Sequence, residues 1–283
     1  MNESRLLLYI VAEAVTGKEV HLRGFRNRAP LCIVALFIIS AGAAAESFAS
    51  PSVLWKGERL VFRLSWLGIP AGKTVMEASD AGYVEGKKMY GISAVTASNE
   101  FIDAFYPVRD RIHSFIFADT LASYKYRVRQ EEGTYRSDKE ILFDYAERKA
   151  TFTKNGEVSI CDIPAFVSDS LSAYYYFRTK ELAVGKTITF EVFDDKKLWQ
   201  VHVQILRKER IETPAGTFNT IVVKPLFKFE GIFRRKGDVY FWLTDDSRKM
   251  IVRMKSKVLI GSINAELMEY AYKPSHEDDH QGK

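Results

Sequence analysis

From Trp55 onward the apolar residues recur with a period of two, which places alternate side chains on opposite faces of extended strands. In residues 58–66, Leu60, Phe62, Leu64 and Trp66 share one face, while Arg59, Val61, Arg63 and Ser65 share the other. The same alternation returns at 187–194, 199–206, 220–230, 250–260 and 263–272, and Tyr124, Tyr126 and Val128 oppose Lys125, Arg127 and Arg129. Turn signals fall between these runs. Ile69-Pro70-Ala71-Gly72 and Thr213-Pro214-Ala215-Gly216 carry proline second and glycine fourth, the arrangement of a type I turn, and Lys154-Asn155-Gly156 and Thr244-Asp245-Asp246 predict further tight turns. Short strands separated by turns, with no regular helix between them, predict an all-β fold: an antiparallel curved sheet, barrel-like or a sandwich.

One segment departs from this period. Ser168 is placed to cap a helix in which Leu171, Tyr174, Tyr175, Arg178 and Leu182 recur at helical spacing until Gly185, and its aromatic side would lie against the sheet. A second short helix is predicted over 99–106.

The N-terminal region has a different character. Arg23, Arg26 and Arg28 precede a 17-residue run, 29–45, that lacks charge and ends in Ala41-Gly42-Ala43-Ala44-Ala45. A charged, then apolar, then small-residue order is that of a secretory signal peptide, with cleavage expected after Ala45 or, as second choice, after Ala49. The run is short for a bilayer span, which needs about 20 residues, so no stable transmembrane span is expected after cleavage. Residues 1–22 are long and acidic for a leader, and a start further in, near Val20, is the alternative. The expected organisation is a signal peptide over 1–45, one β-rich domain over 46–272 or two closely joined halves, and a disordered polar tail over 273–283. Such a leader predicts a periplasmic address.

Composition narrows the partners. With 47% hydrophobic and 13% aromatic residues, the chain has ample material for a packed core. Beyond Ala45 it holds 36 Lys and Arg against 33 Asp and Glu, a balance too even to predict a nucleic-acid partner. Cys161 is the single cysteine beyond the leader, so no intramolecular disulfide forms there, and a buried inert thiol is expected.

Four motifs in order then carry a resemblance: Gly57-Glu58-Arg59-Leu60 with Trp66-Leu67-Gly68-Ile69-Pro70-Ala71-Gly72; Asp169-Ser170-Leu171-Ser172-Ala173-Tyr174-Tyr175-Tyr176-Phe177-Arg178; Thr213-Pro214-Ala215-Gly216-Thr217-Phe218; and Trp242 with Asp246 and Arg248. On these the chain resembles the bacterial envelope family called domain of unknown function 3108. The resemblance implies export and a β-rich fold, and it brings no reaction and no catalytic residues. Proline is common in that family where Ser170 stands here.

Catalytic candidates are few. His113 and His202 are the histidines outside the tail and leader, Asp110 and His113 fall on opposite faces of one strand, and no Gly-x-Ser-x-Gly elbow occurs. No His, Cys, Asp and Glu set has zinc spacing, so no metal, cofactor or catalytic residue is assigned, and a cryptic hydrolase is the third-ranked reading. Binding features are richer. If the strands curve into one sheet, Leu60, Phe62, Leu64, Trp66, Tyr124, Tyr126, Trp199, Ile221, Val223, Phe227 and Phe229 line a common interior that either is a filled core or encloses a lipid-like ligand. The opposite face gathers Arg59, Arg63, Lys125, Arg127, Arg129, Lys224, Lys228, Arg253, Lys255 and Lys257, with Arg234, Arg235 and Lys236 in a loop, and suits anionic headgroups. Phe62, Trp66, Tyr124, Tyr126, Trp199, Phe227, Arg127 and Lys255 are the candidate ligand-binding residues. A non-enzymatic protein binding a lipid or lipopolysaccharide-like ligand is the leading expectation, and a scaffold for other envelope proteins is the alternative.

Overall fold

The computed structural model describes residues 57–229, 232–234, 239–257 and 262–272. The leader, the tail, and the loop residues Arg235 and Lys236 lie outside them, as do the side chains of Lys228, Phe229 and Arg234. Strands β1 (Arg59–Trp66), β2 (Ile69–Val84), β3 (Lys87–Ser98), β4 (Arg109–Phe117), β5 (Ser123–Glu132), β6 (Tyr135–Asp144), β7 (Lys149–Lys154) and β8 (Glu157–Asp162) form a meander. A crossing segment leads to a second meander of β9 (Thr187–Asp194), β10 (Lys197–Thr213), β11 (Gly216–Phe229), β12 (Ile232–Arg234), β13 (Val239–Thr244), β14 (Ile251–Lys257) and β15 (Ser262–Ala271). Strand β15 returns to pair antiparallel with β1, so the order β8-β7-β6-β5-β4-β3-β2-β1-β15-β14-β13-β11-β10-β9 is continuous, with β12 paired to β11. The result is a curved antiparallel sheet that is not closed into a barrel, its two arms bridged by side chains. Its seam joins β6 and β7 to β9: Lys139 pairs with Asp194 in the interior, Lys154 reaches Asp195 at 3.8 Å, and the Phe143 and Phe193 rings meet edge-on at 6.0 Å.

Pairing direction sorts the turns into two ends. The β1–β2 turn, the β3–β4 and β5–β6 connections and the start of β10 share one end, and the β2–β3, β4–β5 and β13–β14 connections share the other. Two short helices complete the fold, α1 (Glu100–Asp103) at the first end and α2 (Ser172–Arg178) crossing the interior near the second. The short helix predicted over 99–106 is present but covers only Glu100–Asp103, and Asn99 caps it, its side chain accepting the Ile102 N–H at 3.0 Å.

Two local readings are corrected. Pro70 does not make a turn: residues 69–72 already belong to β2, Pro70 sits beside the irregularity between Leu64 and Ser65, and the turn is Leu67-Gly68, both at positive φ (52° and 83°), which suits a two-residue hairpin. Helix α2 is shorter than its apolar spacing predicts, and Ser168 is not its cap. Ser168 instead lies in an isolated parallel bridge with Val192, covering part of the β9 edge, while the Asp169 carboxylate accepts the N–H groups of Leu171 and Ser172, each at 2.8 Å. At its other end, the Lys249 ammonium donates to the carbonyl oxygens of Arg178, at 2.9 Å, and Lys180, which ends the helix well before Gly185.

Gly72 shows why the Pro70-Ala71-Gly72 motif needs its glycine. A Cβ at this position would lie 2.2 Å from the carbonyl oxygen of Ala97 and 2.8 Å from the Ser98 Cα, both backbone atoms that cannot swing aside. Gly72→Ala is therefore expected to lower stability by about 1–3 kcal/mol through forced separation of β2 from β3. Urea unfolding of the variant checks this; a midpoint equal to wild type would refute the close-approach reading.

Candidate functional site

The concave face collects the apolar alternation of nearly every strand. Leu60, Phe62 and Leu64 from β1, Ile92 and Ala94 from β3, Tyr126 and Val128 from β5, Val201, Val203 and Ile205 from β10, and Ile221 and Val223 from β11 are all buried there. This interior is filled in part by α2, and the motif Asp169–Arg178 is what anchors the helix. Three buried polar clusters do so.

At its start, Asp169 is fully buried, and its Oδ2 accepts the hydroxyls of Ser114 and Ser123 at 2.5 and 2.7 Å. Burial pushes the Asp169 carboxyl above its ordinary value, against the hydrogen bonds from Ser114, Ser172, Ser123 and Leu171 that pull it down. Next, the Ser170 hydroxyl donates to Asp194 at 2.7 Å, tying the helix to the Lys139–Asp194 pair at the seam. Tyr126 stands over this cluster with the Lys139 ammonium 5.2 Å from its ring centre; burial first, and then the charges of Asp194 and Asp169, hold its phenol well above the usual range. At the far end, Arg178 makes a two-pronged contact with Glu58, Nη1 to Oε1 at 2.7 Å and Nη2 to Oε2 at 2.8 Å, and its Nε donates to the Arg248 carbonyl at 2.7 Å. Tyr174 and Tyr175 lie against that guanidinium at 5.0 and 5.4 Å, and the Ile251 N–H donates to the Tyr174 hydroxyl.

Beside the helix, toward the end that carries α1, two cavities remain. One, of about 130 Å³, is walled by Phe62, Leu64, Met76, Ile112, Tyr126 and Met254, among others, with Thr74, Thr96 and Asp110 as its polar members. The other, of about 120 Å³, is walled by Phe177, Phe190, Val201, Val203, Val223 and Phe227. Both include Ser170, Tyr174, Phe241 and Ile251, so they adjoin across the start of α2.

The candidate residues separate accordingly. Phe62 and Tyr126 line the first cavity and Phe227 the second. Trp199 is buried in the core without forming either wall, and Trp66 is half-buried at the end of β1. Tyr124 is a correction: an irregularity at Phe115/Ile116 leaves it as the extra residue of β5, so Ser123 and Tyr126 both point inward and Tyr124 turns outward with Lys125. It lines an outer groove of about 460 Å³ with Ala81, Val84, Met89, His113, Phe115, Lys125 and Arg127. Arg127 and Lys255 are exposed on that convex face, on strands far apart in the sheet order, and not beside the interior. Much of the basic face is paired, as in Arg59–Glu77, Arg63–Glu266, Lys125–Glu140 and Arg127–Asp138, so it acts as an ion-pair surface more than as an anion cradle. Asp110 faces a cavity while His113 lines the outer groove, the opposite-face placement that strand alternation predicts. Cys161 is half-buried on β8, and burial raises its thiol pKa.

Sequence reasoning missed Ser170, Ala173, Phe190, Val201 and Val203 as cavity walls, and it missed the Glu58–Arg178 pair. The signal for the pair was present: a glutamate and an arginine within two motifs, each on an otherwise apolar face.

Among the described residues, no helix is long and apolar enough to cross a membrane, and no group of three His, Cys, Asp or Glu side chains is arranged to hold a metal. The fold is similar to a β-barrel-like protein of a domain of unknown function, DUF1849, from Brucella abortus: TM-score 0.53 at 12% identity, covering 79% of this chain and 100% of that one. Weaker similarity reaches a candidate lipoprotein from Parabacteroides distasonis, with TM-score 0.34, 12% identity and coverage of 76% and 95%. A candidate exported protein with a YmcC-like fold from Bacteroides fragilis gives TM-score 0.32, 13% identity and coverage of 76% and 96%. No curated protein matches the chain. The model of the protein family of unknown function DUF3108 matches residues 61–268, from β1 to β15, and this chain belongs to that family.

Proposed function

We propose that this protein is a non-enzymatic, exported β-protein of the bacterial envelope, working in the periplasm, that takes the apolar part of a lipid-like amphiphile between its sheet and α2. The observation that carries this reading is the pair of adjoining cavities walled by Phe62, Leu64, Val201, Val203, Val223 and Phe227. An apolar cavity of about 150 Å³ stays dry and accepts a benzene-sized group. Two of nearly that size, in contact, accommodate a segment of one acyl chain and not the several chains of a lipopolysaccharide. Thr74, Thr96 and Asp110 give the first cavity a polar side at which a hydroxyl or protonated headgroup would sit.

Mass spectrometry of organic extracts from protein purified without detergent tests this. One amphiphile per chain is expected, and a protein that stays empty after exposure to envelope lipids would reject the reading.

A scaffold role has one observation of its own. Strand β8 ends the sheet, and Val158 and Ile160 on it are 62% and 69% exposed, an apolar edge on which a partner strand could add. Crosslinking in cells from a photoreactive residue at position 160 should capture a defined envelope protein on this reading; a clean monomer would count against it.

A further inference from the structure

Away from the cavities, four large exposed apolar side chains cluster at one end of the sheet. Leu67 is 54% and Ile69 48% exposed at the tip of the β1–β2 hairpin, and Phe101 and Phe105, both 60% exposed, project from α1 and the residues after it. These two tips are held together. The Asn99 side chain donates to the Pro70 carbonyl oxygen at 2.8 Å, the Asn99 N–H donates to that of Ala71 at 3.0 Å, and Gly72 permits the backbone contact beneath them. Phe101 and Phe105 stack edge-on at 5.4 Å, and the loop behind them is tied down by Asp103, which accepts from Ser98 and Arg109. Such rigid support means the four side chains stay outward by construction and do not collapse onto the protein.

We infer that this end is a docking tip that inserts into the interfacial layer of a lipid bilayer carrying anionic headgroups. Two observations favour a bilayer. Lys73 and Lys257, on strands just behind the tip, are exposed, and neither has an ion-pair partner among the described residues; Arg111 and Arg136 at the same end share Glu131 as their ion-pair partner, and Arg109 pairs with Asp103, which leaves Glu100 on α1 as the acidic group facing the two lysines. Leucine, isoleucine and phenylalanine with unpaired lysines behind them match the apolar-to-anionic gradient of a membrane surface. The second observation is continuity: Leu64, Thr96, Asp110, Val128 and Phe227, which line the cavities, lie within a few residues of this end, whereas α2 occupies the other. Docking would therefore set the cavity side of the interior toward the bilayer from which an acyl chain comes. The inference rests on the interior-binding reading for its purpose, though not for its geometry.

Flotation of the mature protein with vesicles of phosphatidylethanolamine and phosphatidylglycerol tests it, with phosphatidylcholine vesicles as the neutral comparison. Wild type should float with the anionic vesicles and less with the neutral ones. Leu67→Ser with Ile69→Ser, or Phe101→Ser with Phe105→Ser, should each weaken partitioning roughly tenfold or more, since each pair removes two insertable apolar side chains. Because all four positions are exposed, thermal melting should be unchanged. Failure of wild type to float, or flotation indifferent to all four serines, would overturn the inference. Binding of a soluble fatty acid, measured on the same proteins, keeps the two readings apart: the serine variants should retain it, whereas loss of fatty-acid binding by a wild type that still floats would reject the interior reading alone.

Discussion

Replacing Arg178 with methionine is expected to destabilise the protein by about 3–5 kcal/mol, because it leaves the carboxylate of Glu58 buried without its counter-charge. Neither side chain has a route to water: the Arg178 side chain is 2% and the Glu58 side chain 0% exposed. Methionine replaces the stem of the arginine but none of its donors, so Glu58 loses both short contacts and the Arg248 carbonyl loses a third. The control is the double variant Glu58→Leu, Arg178→Met. With both charges gone, the site becomes an ordinary apolar contact among Tyr174, Tyr175 and the sheet, and much of the loss should be recovered. Urea unfolding measures all three proteins. If the double variant is as unstable as the single one, the pair matters for its shape and not for charge compensation.

Asp169→Ala should cost about 3 kcal/mol or more, since it strands the N–H groups of Leu171 and Ser172 and the hydroxyls of Ser114 and Ser123 in the interior. Asp169→Asn should cost less, because its carbonyl still accepts the two backbone N–H groups and the serine hydroxyls can rotate to accept from its amide. A pH dependence follows from the raised pKa of Asp169. With its folded-state pKa above its unfolded one, the folded state binds the proton more readily. The stability contributed is fully present below the unfolded value and is lost as pH rises through the folded one. Wild type should therefore gain on Asp169→Asn as pH falls from neutral toward about 4. A gap that instead widens against wild type on acidification would mean that hydrogen bonding outweighs burial at this carboxylate.

These two side chains also show how far the sequence could be read. Strands such as β1, β9 and β15 follow from period-two alternation over the stretches where one face is buried and the other is not, as with Ile263, Ala265 and Leu267 against Asn264 and Glu266 in β15. Tyr124 did not follow, since one extra residue in β5 reverses the side-chain direction on one side of the irregularity, and nothing in the local alternation marks where it falls. Pro70 was misread because proline marks turns and also strand irregularities, and only the partner strand decides between them. Helix α2 was located but not measured: its length is set by the Asp169 and Lys249 contacts at its two ends, and Lys249 comes from a hairpin 69 residues or more away in sequence. The cavities were beyond reach for a similar reason. Whether alternating apolar residues fill an interior depends on how deep α2 sits, and that depth is fixed by Glu58, Asp194 and Ser123, on three separate strands or their flanks.

Binding of a fluorescent fatty acid to delipidated wild type and to Ala173→Phe decides whether the interior is a ligand site. Ala173 lies on α2 at the wall of the second cavity, so a phenyl group there occupies that space without breaking any of the three anchoring clusters. Saturable, one-to-one binding by wild type, reduced at least tenfold in Ala173→Phe with an unchanged or higher melting temperature, is the predicted result. Absence of saturable binding to wild type, or equal affinity in the filled variant, would contradict it and leave the interior as a packed core.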